Sequence, residues 1–378
     1  MFNIGYQNPV RHATWLELFF DLVFVAAIGI VTHELAHTHD NHISFEQLFK
    51  FILVFTPMWW IWITHTLYAN RFDENTRGDK IFAIILMGLV VFLAVFAKGN
   101  IHEKFNYFIG IYVFIRIFLA YGYIRVSSKI SDEISFTKEM ALGIFIGAII
   151  SCSALFLDSY MKYIVFYLGI LVDIIWQYAL KNKLKKKPID KRHLVERLGL
   201  LAIIILGESM INIVAGLTSV EIEFLDIFGA ITGFILICTI WWIYFDSYHL
   251  FERSSKIDTE HLLIFMHLFL CIGLLILANL IKHSIVGDLD AKTFSMLAII
   301  GLNFFYLGKQ LPYLFAFPPY RKMIIINTSV CITLTVLSTY APKIEYALFG
   351  MMMSMFVYVF MTYKWILSLD VDKYLEEE

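Results

Sequence analysis

Twelve apolar runs of roughly twenty residues, separated by charged or turn-forming stretches, recur along the 378-residue sequence. About 20 apolar residues are needed for a helix to cross a bilayer core about 30 Å thick. Inside lipid every backbone N–H and C=O has to be satisfied internally, which leaves only helices and closed barrels, and the short alternating segments of barrel strands are not seen. The sequence therefore predicts an all-α, polytopic integral membrane protein of about 12 transmembrane helices. The runs cover 15–35, 47–68, 80–98, 105–125, 138–157, 162–180, 194–217, 225–247, 260–281, 294–310, 322–340 and 344–366. The tenth is the least regular, because the polar stretch GKQLP interrupts it. Composition agrees: 59% of residues are hydrophobic and 16% charged, whereas soluble domains carry about a quarter charged residues.

Lys and Arg concentrate in the segments that precede the odd-numbered helices and follow the even-numbered ones, and by the positive-inside rule both termini are expected in the cytoplasm. Most of the bias comes from the basic linker KNKLKKKPIDKRH at 181–193, which reads as a solvated connector rather than a nucleic-acid site. The segment before the first run has one Arg and no small-residue cleavage site, so the first run is expected to remain as an anchor rather than to be cleaved. Cys152, Cys238, Cys271 and Cys331 are scattered singly through apolar runs. Such spacing favours neither a disulfide framework nor a cysteine metal site.

The chain after the linker echoes the chain before it. RHATWLELFFDLVF is answered by RHLVERLGLLAIII, and WWIWITHTLYANRF at Trp59 by WWIYFDSYHLFER at Trp241. Both echoes fall on the same-numbered helix of each half. The expected organisation is two parallel six-helix repeats, 1–180 and 194–378, joined by the linker at 181–193, as in transporters whose repeats are related by an axis along the membrane normal. The Trp pairs lie inside their runs rather than at the interface, so packing is expected of them, with walling a cavity as the alternative.

Ionisable groups inside these runs mark the candidate site, because a charge in a bilayer is costly and normally faces protein or water. Glu17 and Asp21 are four residues apart on the first helix, about 6 Å along the axis, and share one face. Arg116 lies alone in the middle of the fourth, with Glu17, Asp21, Asp173, Glu208 and Asp246 as available partners. Asp173 with Gln177, and Glu208 with Asn212, repeat the spacing of four on the sixth and seventh helices. Two readings follow. Glu17, Asp21, Arg116, Asp173, Glu208, Asn212 and Asp246 line a path for a small solute or ion, or the same charges form static ion pairs that lock helices together.

HELAHTHDNH, at the far end of the first run, holds His33, Glu34 and His37 in the order H-E-x-x-H. On a helix that order places two imidazoles on one face for zinc, and His39 is available as a third ligand. A polar, solvated loop accounts for the same residues with fewer assumptions. No Walker sequence, dinucleotide fingerprint or G-x-S-x-G elbow occurs, so neither an enzyme nor a resident cofactor is expected. GIFIG, with Gly143 and Gly147, is a small-xxx-small pattern that suits a close helix contact within the chain or in a homo-oligomer.

The block RHATWLELFFDLVFVAAI resembles the opening signature of the bacterial low temperature requirement A protein family, and ERLGLLAIIILGES, from Glu196 to Ser209, is similar to its second block. Glu17, Asp21, Glu196, Gly207, Glu208 and Ser209 fall on the motif positions. The resemblance implies a multi-pass protein of the bacterial cytoplasmic membrane, named for growth in the cold, and assigns no reaction. The leading expectation is a secondary transporter or ion-translocating permease without a nucleotide motor. The alternative is a non-transporting sensor or structural factor for cold growth.

Overall fold

The computed structural model describes residues 12–38, 40–99, 101–128, 136–248 and 260–364. Among these, twelve helices are long and apolar enough to cross a membrane. They are α1 (Trp15–Thr32), α2 (Phe45–Phe72), α3 (Arg77–Ala97), α4 (Ile101–Ser127), α5 (Phe136–Ser153), α6 (Ser159–Ala179), α7 (Lys191–Thr218), α8 (Phe224–Tyr248), α9 (Glu260–Val286), α10 (Ala291–Ala316), α11 (Arg321–Ser338) and α12 (Ile344–Thr362). Large apolar side chains stand exposed along them, as with Ile81, Ile84, Val91 and Phe92 on α3. So much outward apolar surface suits contact with lipid rather than water.

The tenth helix is the main departure from the run lengths read in the sequence. α10 continues through GKQLP to Ala316, with Pro312 inside it. A proline in a membrane helix is tolerated when neighbours satisfy the freed backbone groups. The polar side chains there are also placed: Lys309 and Gln310 bond Ser247 and Tyr358.

The chain divides into two compact units. The first comprises residues 1–24, 61–91 and 109–200. Within it α5 and α6 pack closely because Gly147 and Gly169 carry no side chain: a Cβ on Gly147 would lie 2.7 Å from the Gly169 carbonyl oxygen. Gly143 faces the Trp176 ring in the same contact, so the small-xxx-small pattern of α5 serves a contact inside the chain. The basic linker leaves Lys183, Lys185, Lys186 and Arg192 exposed and is tied down at a few points in this unit. Arg71 Nε donates to the Lys187 carbonyl at 3.1 Å, Asn70 exchanges two hydrogen bonds with the Asp190 backbone, and Lys183 pairs with Glu139.

The second unit comprises residues 25–60, 92–108 and 201–378. Its centre is α9, whose residues Cys271 to Ile281 are all buried. Trp59 and Trp60 are buried too, Trp60 stacking on Phe265 with centroids 6.2 Å apart. Trp241 and Trp242, by contrast, are 50% and 56% exposed. The packing role expected of both Trp pairs therefore holds for the first pair only.

Candidate functional site

In the first unit, Glu17 and Asp21 are 1% and 0% exposed. The cation they meet is Arg197 of α7, itself 0% exposed. Its Nε and Nη2 donate to the two Asp21 oxygens at 3.0 and 2.6 Å, and its Nη1 lies 3.0 Å from Glu17 Oε1. A planar guanidinium can clasp one carboxylate with two bonds and still reach a second, which an ammonium cannot do. Trp62 Nε1 donates to Asp21 at 2.7 Å, and the Thr14 backbone N–H donates to Glu17 at 2.8 Å.

His193 completes the cluster one turn before Arg197. Its Nε2 lies 3.2 Å from Glu17 Oε2, and its Nδ1 lies 2.9 Å from Asn70 Nδ2. Asn70 Oδ1 accepts from the Asp190 N–H at 2.8 Å, which fixes the amide so that its NH₂ faces the ring. His193 Nδ1 is then an acceptor, and Nε2–H is the donor to Glu17. The network has two acids, one guanidinium and neutral donors for the remaining oxygens, all in a closed interior.

A second buried pair lies in the same unit. Arg116 and Asp173 are 1% and 2% exposed and bonded through Nη2 and Oδ2. Thr64 Oγ1 accepts from Arg116 Nη1 at 2.9 Å, and Gln177 Nε2 donates to Asp173 Oδ1 at 3.3 Å. Of the five acids open to Arg116 in the sequence, Asp173 is its partner. Toward the end of α4, Arg125 pairs with Asp79 and donates to Tyr68 at 3.1 Å.

In the second unit Glu208 differs from these acids. It lies on α7 ten residues before Thr218, about 15 Å along the axis at about 1.5 Å per residue. It is half-buried, and among the described residues its carboxylate has neither a hydrogen bond nor an ion pair. Space for it exists because α1 presents Gly29: a Cβ there would come 3.4 Å from Glu208 Oε2. Asn212, one turn further along α7, is buried. Asp246 accepts from Trp242 Nε1 at 2.7 Å and from the Tyr363 hydroxyl, so it is satisfied within its unit.

The H-E-x-x-H segment is not α-helical. His33–Ala36 is a 3-10 turn and His37 is extended. The His33 and His37 rings stack with centroids 4.6 Å apart and planes 15° from parallel, so their in-plane lone pairs do not converge on one ion. His39 and the Glu34 side chain lie outside the described residues. Among the described residues no group of three or more His, Cys, Asp or Glu could hold a metal. The segment instead docks on the α9–α10 connection. His283 Nε2 lies 3.0 Å from the Leu35 carbonyl and Nδ1 2.7 Å from Asp288, Lys282 donates to the Ala36 carbonyl at 3.3 Å, and the Asp290 N–H donates to the Asn41 carbonyl at 2.7 Å. Burial alone would raise the Asp288 carboxyl, but the hydrogen bond and charge of His283 outweigh it and hold its pKa below the ordinary carboxylate value.

Arg197, His193, Trp62 and Asn70 are the residues that sequence reasoning missed. Arg197 falls only four residues beyond the basic linker, at the start of the seventh run, where a cation ordinarily reaches water. One signal was present: His193 and Arg197 repeat on α7 the spacing of four that Glu17 and Asp21 have on α1.

An uncharacterized protein of Rhizobium meliloti (strain 1021) is 23% identical over 256 residues, which span 62% of this chain and 58% of that protein. The chain thus matches less than two thirds of that relative's length. The family model described as bacterial low temperature requirement A protein matches residues 12–364, which include both acids of α1, the Arg197 cluster and Glu208. The chain belongs to the bacterial low temperature requirement A protein family.

Proposed function

We propose that this membrane protein is a secondary carrier of the bacterial cytoplasmic membrane, with both termini in the cytoplasm, that moves a small solute or ion. Glu208 is the carboxylate that takes up and releases the coupling proton or cation. The observation that carries this reading is the contrast among the intramembrane acids. Glu17, Asp21, Asp79, Asp173 and Asp246 are each bonded to a cation or to neutral donors, whereas Glu208 has no such partner among the described residues. An unpaired acid held in a membrane helix is costly and marks an ion or proton route. In this account the Arg197 cluster and the Arg116–Asp173 pair are fixed struts, not parts of the path. The recurrence of motifs at matching helices supports a duplicated six-helix plan, and the distribution of Lys and Arg supports the orientation.

A second reading, a non-transporting sensor or structural factor for growth in the cold, is favoured by those closed pairs. Proteoliposomes holding a pH-sensitive dye separate the two. The carrier predicts that an imposed inside-negative potential drives proton entry with wild-type protein, that Glu208→Gln abolishes it, and that Glu208→Asp keeps part of it. Equal entry with wild type and Glu208→Gln would overturn the carrier and leave the static reading.

A further inference from the structure

Lys309 lies on α10, seven residues before its end, and is 5% exposed. Its Nζ donates to Ser247 Oγ at 3.0 Å. That hydroxyl sends its own proton to the Ile243 carbonyl at 2.6 Å, so it meets Lys309 as a neutral acceptor. The nitrogen also lies 4.8 Å from the Tyr313 ring centroid and 5.7 Å from that of Tyr358. Among the described residues no carboxylate is within ion-pair distance of it. Asp246, next to Ser247 in sequence, is occupied by Trp242 and Tyr363. An ammonium carries three donors, and one of them is used. Arg116, Arg125 and Arg197 each have an acid against them, whereas Lys309 has a neutral oxygen and two aromatic faces.

A mostly apolar recess of about 230 Å³ lies between α10 and α11; Lys309 does not line it, but its neighbour Gln310 does, with Tyr306, Thr328 and Ser329 among Leu and Ile side chains. The Tyr358 ring packs on Tyr306 with centroids 5.4 Å apart, and its hydroxyl accepts from Gln310. Tyr358 therefore touches both the recess-lining residues and the Lys309 ammonium. A buried charge without a counter-charge is strongly unfavourable.

We propose that Lys309 is the anchor of an anion site, taking the carboxylate or phosphate group of a small molecule admitted from this recess past Tyr358. The site stands apart from the carrier reading, because its test needs no flux. Purified protein in an uncharged detergent is unfolded thermally with acetate, inorganic phosphate or chloride at equal ionic strength, and with phosphatidylglycerol added to the micelles. Acetate or phosphate at about 100 times its Kd should raise the ratio of folded to unfolded protein about 100-fold over chloride. The gain should persist in Lys309→Arg and vanish in Lys309→Met. A Lys309-dependent gain seen with phosphatidylglycerol alone assigns the anion to a lipid headgroup. Lys309→Met should itself fold and, without added anion, be at least as stable as wild type, since it removes an uncompensated charge. No gain with any of the three probes, or the same gain in Lys309→Met, overturns the proposal.

Discussion

Replacing Arg197 by methionine removes the cation from between two acids that are 1% and 0% exposed. Methionine matches the aliphatic stem, so the loss is of charge and hydrogen bonds more than of volume. Glu17 keeps Thr14 and His193 as donors, and Asp21 keeps Trp62, but no cation remains to balance either carboxylate within this cluster. Breaking a buried ion pair by removing one partner costs about 3–5 kcal/mol, roughly two to three and a half powers of ten in the folding equilibrium. The companion variant Arg197→Met with Glu17→Gln and Asp21→Asn removes all three charges and keeps an acceptor oxygen for Trp62 and Thr14. Replacing a whole buried ionic group is often close to neutral, so this triple variant should return to within about 2 kcal/mol of wild type. The assay is reversible unfolding in mixed micelles, titrating dodecyl sulfate into a mild detergent and following tryptophan fluorescence. A wild-type midpoint for Arg197→Met would refute the reasoning, and so would a triple variant no more stable than the single one.

Other outcomes follow from the same geometry. Thr64→Val takes a neutral acceptor from Arg116, and a hydrogen bond to a charged group is worth about 1.5–3 kcal/mol; an unchanged unfolding midpoint would show that Thr64 contributes nothing to the pair. Gly147→Leu drives a side chain into the Gly169 carbonyl and should cost at least the 1–3 kcal/mol typical of overpacking, read as a lower thermal midpoint; tolerance of leucine would mean that α5 and α6 do not approach as described. For the docked histidine-rich segment, the sign follows from Asp288, whose pKa is depressed by His283. Its contribution is fully present above the unfolded value of about 3.9 and is lost as pH falls through the lower folded value. Amide exchange at residues 35–38, 40 and 41, corrected for intrinsic rates, should therefore be protected from pH 7 down to about pH 4 and lose protection below it. Asp288→Asn should remove that dependence, and a profile equally acid-sensitive in the variant would exclude Asp288 as its cause.

The helices were legible because lipid imposes one rule along the whole chain: long apolar runs have no other stable form. The same rule made Glu17 and Asp21 stand out and placed Arg116 against an acid. What it could not give is which helix supplies a partner, because that depends on packing between segments far apart in sequence. Arg197 shows the difficulty. Near a helix start a cation normally reaches water, and only the fold reveals that α7 turns it inward beneath the linker that Asn70 and Arg71 hold. The H-E-x-x-H reading failed for a local reason, since the chain tightens to a 3-10 turn at His33 and the α-helical spacing of the two rings is lost. GKQLP misled in the opposite direction: its polar side chains suggested a break, yet Ser247 and Tyr358 satisfy them and the helix runs on.

The central claim is that Glu208 is available for exchange while the acids of α1 are locked. Hydrophobic carbodiimides modify carboxyl groups that are reachable from lipid and free to take up a proton, and a carboxylate clasped by a guanidinium is protected. Labelling membranes with dicyclohexylcarbodiimide and mapping adducts by mass spectrometry should place the modification on Glu208, with Glu17 and Asp21 unmodified. Adducts on Glu17 or Asp21 with Glu208 unlabelled would contradict the account.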